Sequence, residues 1–154
     1  MTEGSDKETR HFEFSLKESG LIYEPGDSLG VLPVNCPEVV NDLLLATGFS
    51  GSEQVQIGEE KFSLKDSLLQ KFACTVLSKI QIKKFNEIAQ LDTLEELLKI
   101  ENKQALIDYM WGRELIDLFK EYPQQGLSVE NFIALLRPMP PRLYSIASSL
   151  SAHS

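Results

Sequence analysis

The chain has 154 residues, 42% of them hydrophobic and 25% charged, with a formal net charge of −8. One domain of this size can bury roughly 70% of its unfolded surface; no run of about 18 apolar residues is present to span a bilayer, and no basic cluster offers the footprint of a nucleic-acid binder. The polar opening Met1-Thr2-Glu3-Gly4-Ser5-Asp6-Lys7-Glu8 lacks the apolar core of a signal peptide, so a cytoplasmic protein with a disordered N-terminus over residues 1–8 is expected.

Phe12, Phe14 and Leu16 alternate with His11, Glu13 and Ser15, the period-two pattern of a half-buried strand, expected over 9–16 as an antiparallel sheet member. Ser19-Gly20 breaks it. Pro25-Gly26-Asp27 reads as a type II turn with Gly at the positive-φ position. Asp27 is read as structural, accepting from nearby backbone amides. A second strand is expected at about 27–33.

Asn35-Cys36-Pro37-Glu38 reads as a helix start, since proline's missing N–H costs nothing in a first turn. Val40, Leu43, Leu44 and Thr47 recur at helical spacing until Gly48 ends the run. Gln54-Val55-Gln56-Ile57 and Lys61-Phe62 flank a turn and suit a short hairpin. Ser63-x-x-Asp66 caps a helix whose expected apolar stripe is Leu64, Leu68, Leu69 and Phe72. After the apolar run Cys74-Thr75-Val76-Leu77, the pattern is helical from Lys83 onward. Thr93-x-x-Glu96 is read as a capping box. Ala105, Leu106, Tyr109 and Met110 mark one helix, Leu115, Leu118 and Phe119 the next, stopped by Tyr122-Pro123. Ser128 starts a last helix with Phe132, Ile133 and Leu136 inward, closed by Pro138. Cys36 and Cys74 are expected as small buried thiols rather than a disulfide or redox pair. His11 and His153 lack a Cys, Asp or His at ligand spacing, so no metal site is expected.

Pro140-Pro141 forbids helix and favours extended backbone beyond it. The segment Arg142-Leu143-Tyr144-Ser145 then places a guanidinium, a phenol ring and a hydroxyl within four positions of an expected strand. Alternation puts Arg142 and Tyr144 on one face and Leu143 and Ser145 on the other, unless a bulge or twist redirects them; a ligand along the strand edge would meet the cation, the ring and the hydroxyl in order. That trio suits a long cofactor: arginine holds phosphate oxygens through paired charge-assisted bonds, tyrosine stacks, and serine donates to a ring nitrogen or carbonyl.

Arg142-Leu143-Tyr144-Ser145 resembles the Arg-x-Tyr-Ser signature of the ferredoxin-reductase-like FAD domain, and its continuation Ile146-Ala147-Ser148-Ser149 resembles the diflavin reductase branch. Flanking blocks extend the resemblance from about Arg10 to Ser151: Tyr23-Glu24-Pro25-Gly26-Asp27-Ser28-Leu29-Gly30-Val31, Trp111-Gly112-Arg113-Glu114-Leu115 and Leu135-Leu136-Arg137-Pro138. Leu143 leans toward the flavoprotein subunit of NADPH-dependent sulfite reductases.

The resemblance implies an α+β fold: parts of an antiparallel FAD-binding β-barrel at 9–35 and 138–154, interrupted over 36–137 by a mostly helical connecting domain. It implies that Arg142 holds the FAD diphosphate, Tyr144 lies against the isoalloxazine ring and ribityl chain, Ser145 contacts the flavin near N5 and O4, and Leu143 contributes backbone and packing. Arg113 and Thr75 are implied near the adenine end. For Arg113 a surface ion pair remains open, and for Trp111 a place in a helix-junction core. The implied activity is electron relay from NADPH through FAD to FMN. The implied partners are the FMN and NADPH domains of the same parent chain and a haem-containing sulfite reductase subunit. The chain would then be a fragment, binding FAD weakly or not at all alone. A non-catalytic helical module orienting flavin domains, or a cytochrome-reductase-like diflavin enzyme, are the alternatives.

Overall fold

The structure is a computed structural model and describes residue 10 and residues 12–148. The expected disordered N-terminus, His11, His153 and Ser149 of the signature's continuation lie outside the described residues. Those described form two compact units: residues up to 29 together with 143–148, and residues 30–142.

In the larger unit, helix α1 (Pro37–Thr47) begins on proline and ends on Gly48, whose φ of 78° is the left-handed cap that glycine adopts without strain. The hairpin forms from β2 (Gln54–Ile57) and β3 (Glu60–Ser63), antiparallel with Val55 opposite Phe62. Its two-residue loop starts on Gly58 at φ 62°, as a tight hairpin turn requires. Ser63 then caps α2 (Leu64–Gln70), its Oγ accepting from the Asp66 backbone N–H at 3.0 Å.

Phe72 departs from its expected place on the α2 stripe and lies in β4 (Phe72–Ala73), paired antiparallel with β5 (Arg137–Pro138). The cause is distant in sequence. Asn35 Nδ2 donates to the Leu68 and Phe72 carbonyls at 2.6 and 2.7 Å, and the Asn35 N–H to Leu69 at 2.9 Å. The bonds to Leu68 and Leu69 satisfy carbonyls at the end of α2 that another helical turn would otherwise have used.

Helix α3 (Lys79–Ala89) starts four residues before the expected Lys83, because Ser78 caps it. The capping box expected at Thr93 does not form. Gln90 turns left-handed at φ 51°, Asn86 Oδ1 accepts the Leu91 N–H at 2.8 Å, and α4 (Asp92–Leu98) begins with Leu91 as its cap. Thr93 therefore sits inside the helix, beyond capping reach. A 3-10 turn (Ile100–Asn102) leads into α5 (Lys103–Met110), followed by α6 (Leu115–Glu121) and α7 (Val129–Leu135), the last capped by Ser128.

The core of this unit is aromatic at its centre. Phe85, Phe119 and Phe132 are each fully buried. Phe119 meets Phe85 and Phe132 edge-to-face at centroid distances of 5.3 and 5.6 Å, and Phe49 reaches Phe132 at 5.3 Å, geometries that favour the ring quadrupoles. Leu43, Leu64, Leu68, Ile82, Leu94, Leu115 and Leu118 complete it.

Ser67 and Gln81 are the buried polar residues of this interior among those described; the Ser67 hydroxyl donates to the Ser63 carbonyl at 2.8 Å, whereas Gln81 is only half satisfied. It is fully buried, its Oε1 accepts from Ser78 Oγ at 2.8 Å, and its Nε2 has no partner among the described residues. A buried donor left unpaired costs about 1–3 kcal/mol. Gln81→Met fills nearly the same volume without that donor and is expected to raise stability by about 1 kcal/mol, read as a higher urea midpoint with an unchanged slope.

In the smaller unit, Glu24-Pro25-Gly26-Asp27 forms the expected turn: Gly26 has φ 102°, and Asp27 Oδ2 accepts the Glu24 N–H at 2.9 Å. Asp27 is thus structural, as read. Strand β1 (Ser28–Val31), of which Ser28 and Leu29 belong to this unit, falls within the expected span and pairs with β6 (Arg142–Ser145), of which Leu143, Tyr144 and Ser145 belong to it; β6 is the strand expected after the double proline. The strand expected over 9–16 is not formed at residue 10 or residues 12–16, and Phe12 and Phe14 remain exposed. Alternation selects which side chains share a face, but a strand exists only within a ladder, and this stretch joins none among the described residues. The fold is therefore mixed helix and strand, with three two-stranded sheets and no closed barrel among the described residues. No described helix is long and apolar enough to cross a membrane.

Candidate functional site

The backbone of β6 is held at its end by the Ile146 N–H donating to the Asp27 carbonyl at 2.9 Å, and Ser148 Oγ hydrogen-bonds the Tyr23 hydroxyl at 2.8 Å. Its four side chains, Arg142, Leu143, Tyr144 and Ser145, are all exposed. Tyr144 keeps 58% of its surface accessible, so its ring is not an ordinary core aromatic. Leu143 is exposed as well, and its expected packing role finds no support within the chain. The Arg142 guanidinium has no ion pair or hydrogen bond among the described residues. A cation, a ring and a hydroxyl thus follow one another along one strand, their side chains without hydrogen-bond or ion-pair partners among the described residues. These are the donor types that a flavin dinucleotide needs: a charge for the diphosphate, a flat face for the ring system and a polar hydrogen for its edge. The residues present fit FAD.

Arg113 is placed differently. Gly112, at φ 70°, ends α5 in a left-handed turn and brings Arg113 back over the helix. Its guanidinium lies 4.2 Å from the Tyr109 ring centre and pairs with the Glu121 carboxylate of α6. The Tyr109 hydroxyl donates to the same carboxylate at 3.1 Å. Burial and then the Glu121 contact push the Tyr109 hydroxyl pKa up. Burial works against the Glu121 carboxylate, yet the Arg113 and tyrosine hydrogen bonds outweigh it and hold its pKa below the usual range. The ion pair left open for Arg113 is therefore formed. Trp111, by contrast, is not a helix-junction core residue: it ends α5 with 86% of its surface exposed, because the turn that draws Arg113 inward leaves its neighbour outside.

Thr75 is exposed in the turn between β4 and α3. Its neighbour Cys74 is buried, and burial, followed by the charge of Glu114, raises the Cys74 thiol pKa to about 12. Glu114 is the residue after Arg113. The Glu114 charge thus acts on the neighbour of Thr75, although Thr75 and Arg113 themselves stand 38 positions apart in the sequence. Cys36, expected buried, is exposed, with its thiol donating to Glu38 Oε2 at 2.6 Å. Both cysteines are free.

Open depressions are found at two further places among the described residues, the second beside the residues that hold the end of β6. One of about 320 Å³ is lined by Val39, Asp42, Gly112, Glu114, Asp117 and Lys120. Its three carboxylates repel a diphosphate. The other, about 430 Å³, is lined by Ile22, Tyr23, Glu24 and Asp27, and Asp27 is already committed to its turn. Among the described residues no group of three or more His, Cys, Asp or Glu side chains could hold a metal ion. An ion pair for Arg113 was left open, but its partners Tyr109 and Glu121, and the Asn35 clamp, were not foreseen. Arg113 and Glu121 stand eight positions apart, beyond any single helix-spacing rule, and a lone Asn before Cys-Pro reads only as a turn residue.

Comparison with known proteins agrees with the strand signature. The family model described as "FAD binding domain" matches residues 1–154. The sulfite reductase (NADPH) flavoprotein alpha-component of Bacillus subtilis (strain 168) is 45% identical over 152 residues, covering 97% of this chain and 25% of that protein. The protein of the same name from Photorhabdus laumondii is 40% identical over 146 residues, 95% of this chain and 24% of the relative. That from Vibrio cholerae is 41% identical over 147 residues, 96% and 24%. The chain spans about a quarter of the length of the curated relatives it matches. An exposed Arg-x-Tyr-Ser strand, a family match from the first residue to the last and flavoprotein relatives at this identity converge, and the chain belongs to the FAD-binding domain family.

Proposed function

We propose that the chain is the FAD-binding portion of an NADPH-dependent diflavin oxidoreductase of the sulfite reductase flavoprotein type. One observation carries this reading: β6 presents Arg142, Tyr144 and Ser145 exposed, with the guanidinium unengaged among the described residues. When bound, FAD would supply the chemistry of accepting hydride from NADPH and passing electrons onward. The residues of this chain bind and orient. Arg142 offsets the diphosphate charge, Tyr144 covers a flavin face and excludes water from it, and Ser145 donates a hydrogen bond at the ring edge, where reduction builds negative charge. Leu143 contributes its backbone to the strand.

Thr75 and the Arg113 turn are proposed at the adenine end. Because the Arg113 guanidinium is held by Tyr109 and Glu121, its contribution there is to fix the turn. In this reading β1 and β6 belong to an FAD-binding barrel, the helices of 36–137 form a connecting domain, and the setting is cytoplasmic. The partners are an FMN domain and an NADPH domain of the same parent chain, and a haem-containing subunit.

Titrating the chain with FAD while following flavin fluorescence tests the proposal. Arg142→Ala is expected to weaken FAD binding by roughly 10- to 100-fold, the loss of a charge-assisted phosphate contact. Riboflavin, which has no phosphate, should bind both proteins alike. Tight FAD binding that survives Arg142→Ala unchanged would count against the assignment.

A further inference from the structure

The least expected surface of the helical unit lies along α5. Ile100 is 90% exposed, Ile107 43% and Trp111 86%, and with exposed Gln104 they recur at i, i+4, i+7 and i+11. Gln104 and Ile107 lie on α5 itself, Ile100 in the 3-10 turn before it and Trp111 at its C-cap; the row they make is turned to solvent rather than to the core, which α5 meets through Leu106. The Gly112 turn and the Tyr109–Arg113–Glu121 cluster hold Trp111 outward.

We propose that this face is a self-association surface, on which α5 of a second copy packs in parallel about a two-fold axis. Charge selects the second copy as occupant. Lys103 and Asp108 flank the apolar row on opposite sides, five positions apart. In a parallel pair each Lys103 meets Asp108 of the other copy, the pairing that sets orientation in two-stranded coiled coils; an antiparallel pair would bring Glu101 of one copy toward Asp108 of the other. Lys103 has no ion pair among the described residues, and Asp108 Oδ1 is engaged only by Gln104 Nε2 at 2.9 Å. Gln104 then faces its own counterpart, a polar residue at a seam position that fixes register. Trp is the residue type most enriched at the energetic centres of interfaces.

The area limits the strength. The three apolar residues expose roughly 450 Å² per copy, about half of what each partner buries in a standard interface. The dimer is therefore weak, with a dissociation constant of roughly 100 μM. The inference does not depend on the FAD reading, and the test needs no flavin.

Trp111 is the chain's single tryptophan, so its emission reports this face alone. Sedimentation velocity and tryptophan emission of the whole chain are followed from about 10 μM to about 1 mM, a span bracketing that constant. Mass is expected to double as emission shifts to the blue. Ile107→Asp should raise the dissociation constant at least about tenfold, and Ile100→Asp, outside α5, provides a second disruption. Lys103→Glu should weaken association roughly threefold to tenfold, and Lys103→Glu with Asp108→Lys should restore it. Far-UV circular dichroism verifies that each variant is folded. A monomer throughout, a dimer whose tryptophan emission does not move, a dimer indifferent to both Asp variants, or a charge swap that fails to rescue would each overturn the proposal.

Discussion

Phe132→Ala is expected to lower the unfolding free energy by about 3–5 kcal/mol, the cost of removing a large buried ring together with the cavity it leaves. Phe132 is fully buried and touches both Phe49 and Phe119, the latter edge-to-face at 5.6 Å. Its removal therefore breaks two ring contacts on top of the lost transfer energy. The neighbours cannot close in, because Phe119 is itself held by Phe85 on its other side. Against a total stability of about 5–15 kcal/mol for a domain, this is a large fraction. Phe12→Ala supplies the contrast: that ring is exposed, and its loss should change stability by no more than about 0.5 kcal/mol. Urea unfolding of both variants checks the pair. A Phe132→Ala loss below about 1 kcal/mol would contradict the packing described for the core.

The two thiols are expected to differ in reactivity by at least about a hundredfold, because the thiolate is the nucleophile. Cys36 is exposed at the start of α1. Cys74 is 1% exposed, and burial, then Glu114, raise its pKa to about 12; at pH 8 only about one molecule in ten thousand carries the thiolate. A thiol reagent at pH 8 should modify one cysteine in the native protein and two in urea, and Cys36→Ser should abolish the native reaction.

The same shift has a consequence for stability. The folded state holds its proton more tightly than the unfolded chain, so the Cys74 contribution is fully present below the ordinary value of 9.0. It declines as pH rises from there and is lost through about 12. Wild type should lose more stability than Cys74→Ala between pH 8 and about 10.5, within that window. Equal losses would show that the Cys74 thiol ionises in the folded protein as readily as in the unfolded chain.

Much of the local architecture was legible from neighbours in the chain. Pro37 and Gly48 bound α1, Gly26 and Gly58 mark turns, Ser63 and Ser128 cap helices, and Pro140-Pro141 precedes a strand. Each signal acts through backbone angles or hydrogen bonds within about four residues. The Arg142-Leu143-Tyr144-Ser145 signature was equally readable, because alternation along a strand needs no knowledge of what lies beside it. Exposure at all four positions was not.

What the sequence by itself determined is therefore the order and type of most elements, the position of the signature strand and the family those residues point to. The tertiary structure alone decided four things: that residues 12–16 join no strand, that Asn35 draws Phe72 out of a helix and into a sheet, that Arg113 turns inward to Glu121 while Trp111 is left outside, and that Cys74 is buried while Cys36 is not. The division has a physical cause. Capping and turn preferences are settled by atoms a few bonds away, whereas ladders, ion pairs and burial depend on which distant segment arrives alongside, and that is fixed only when the whole core packs.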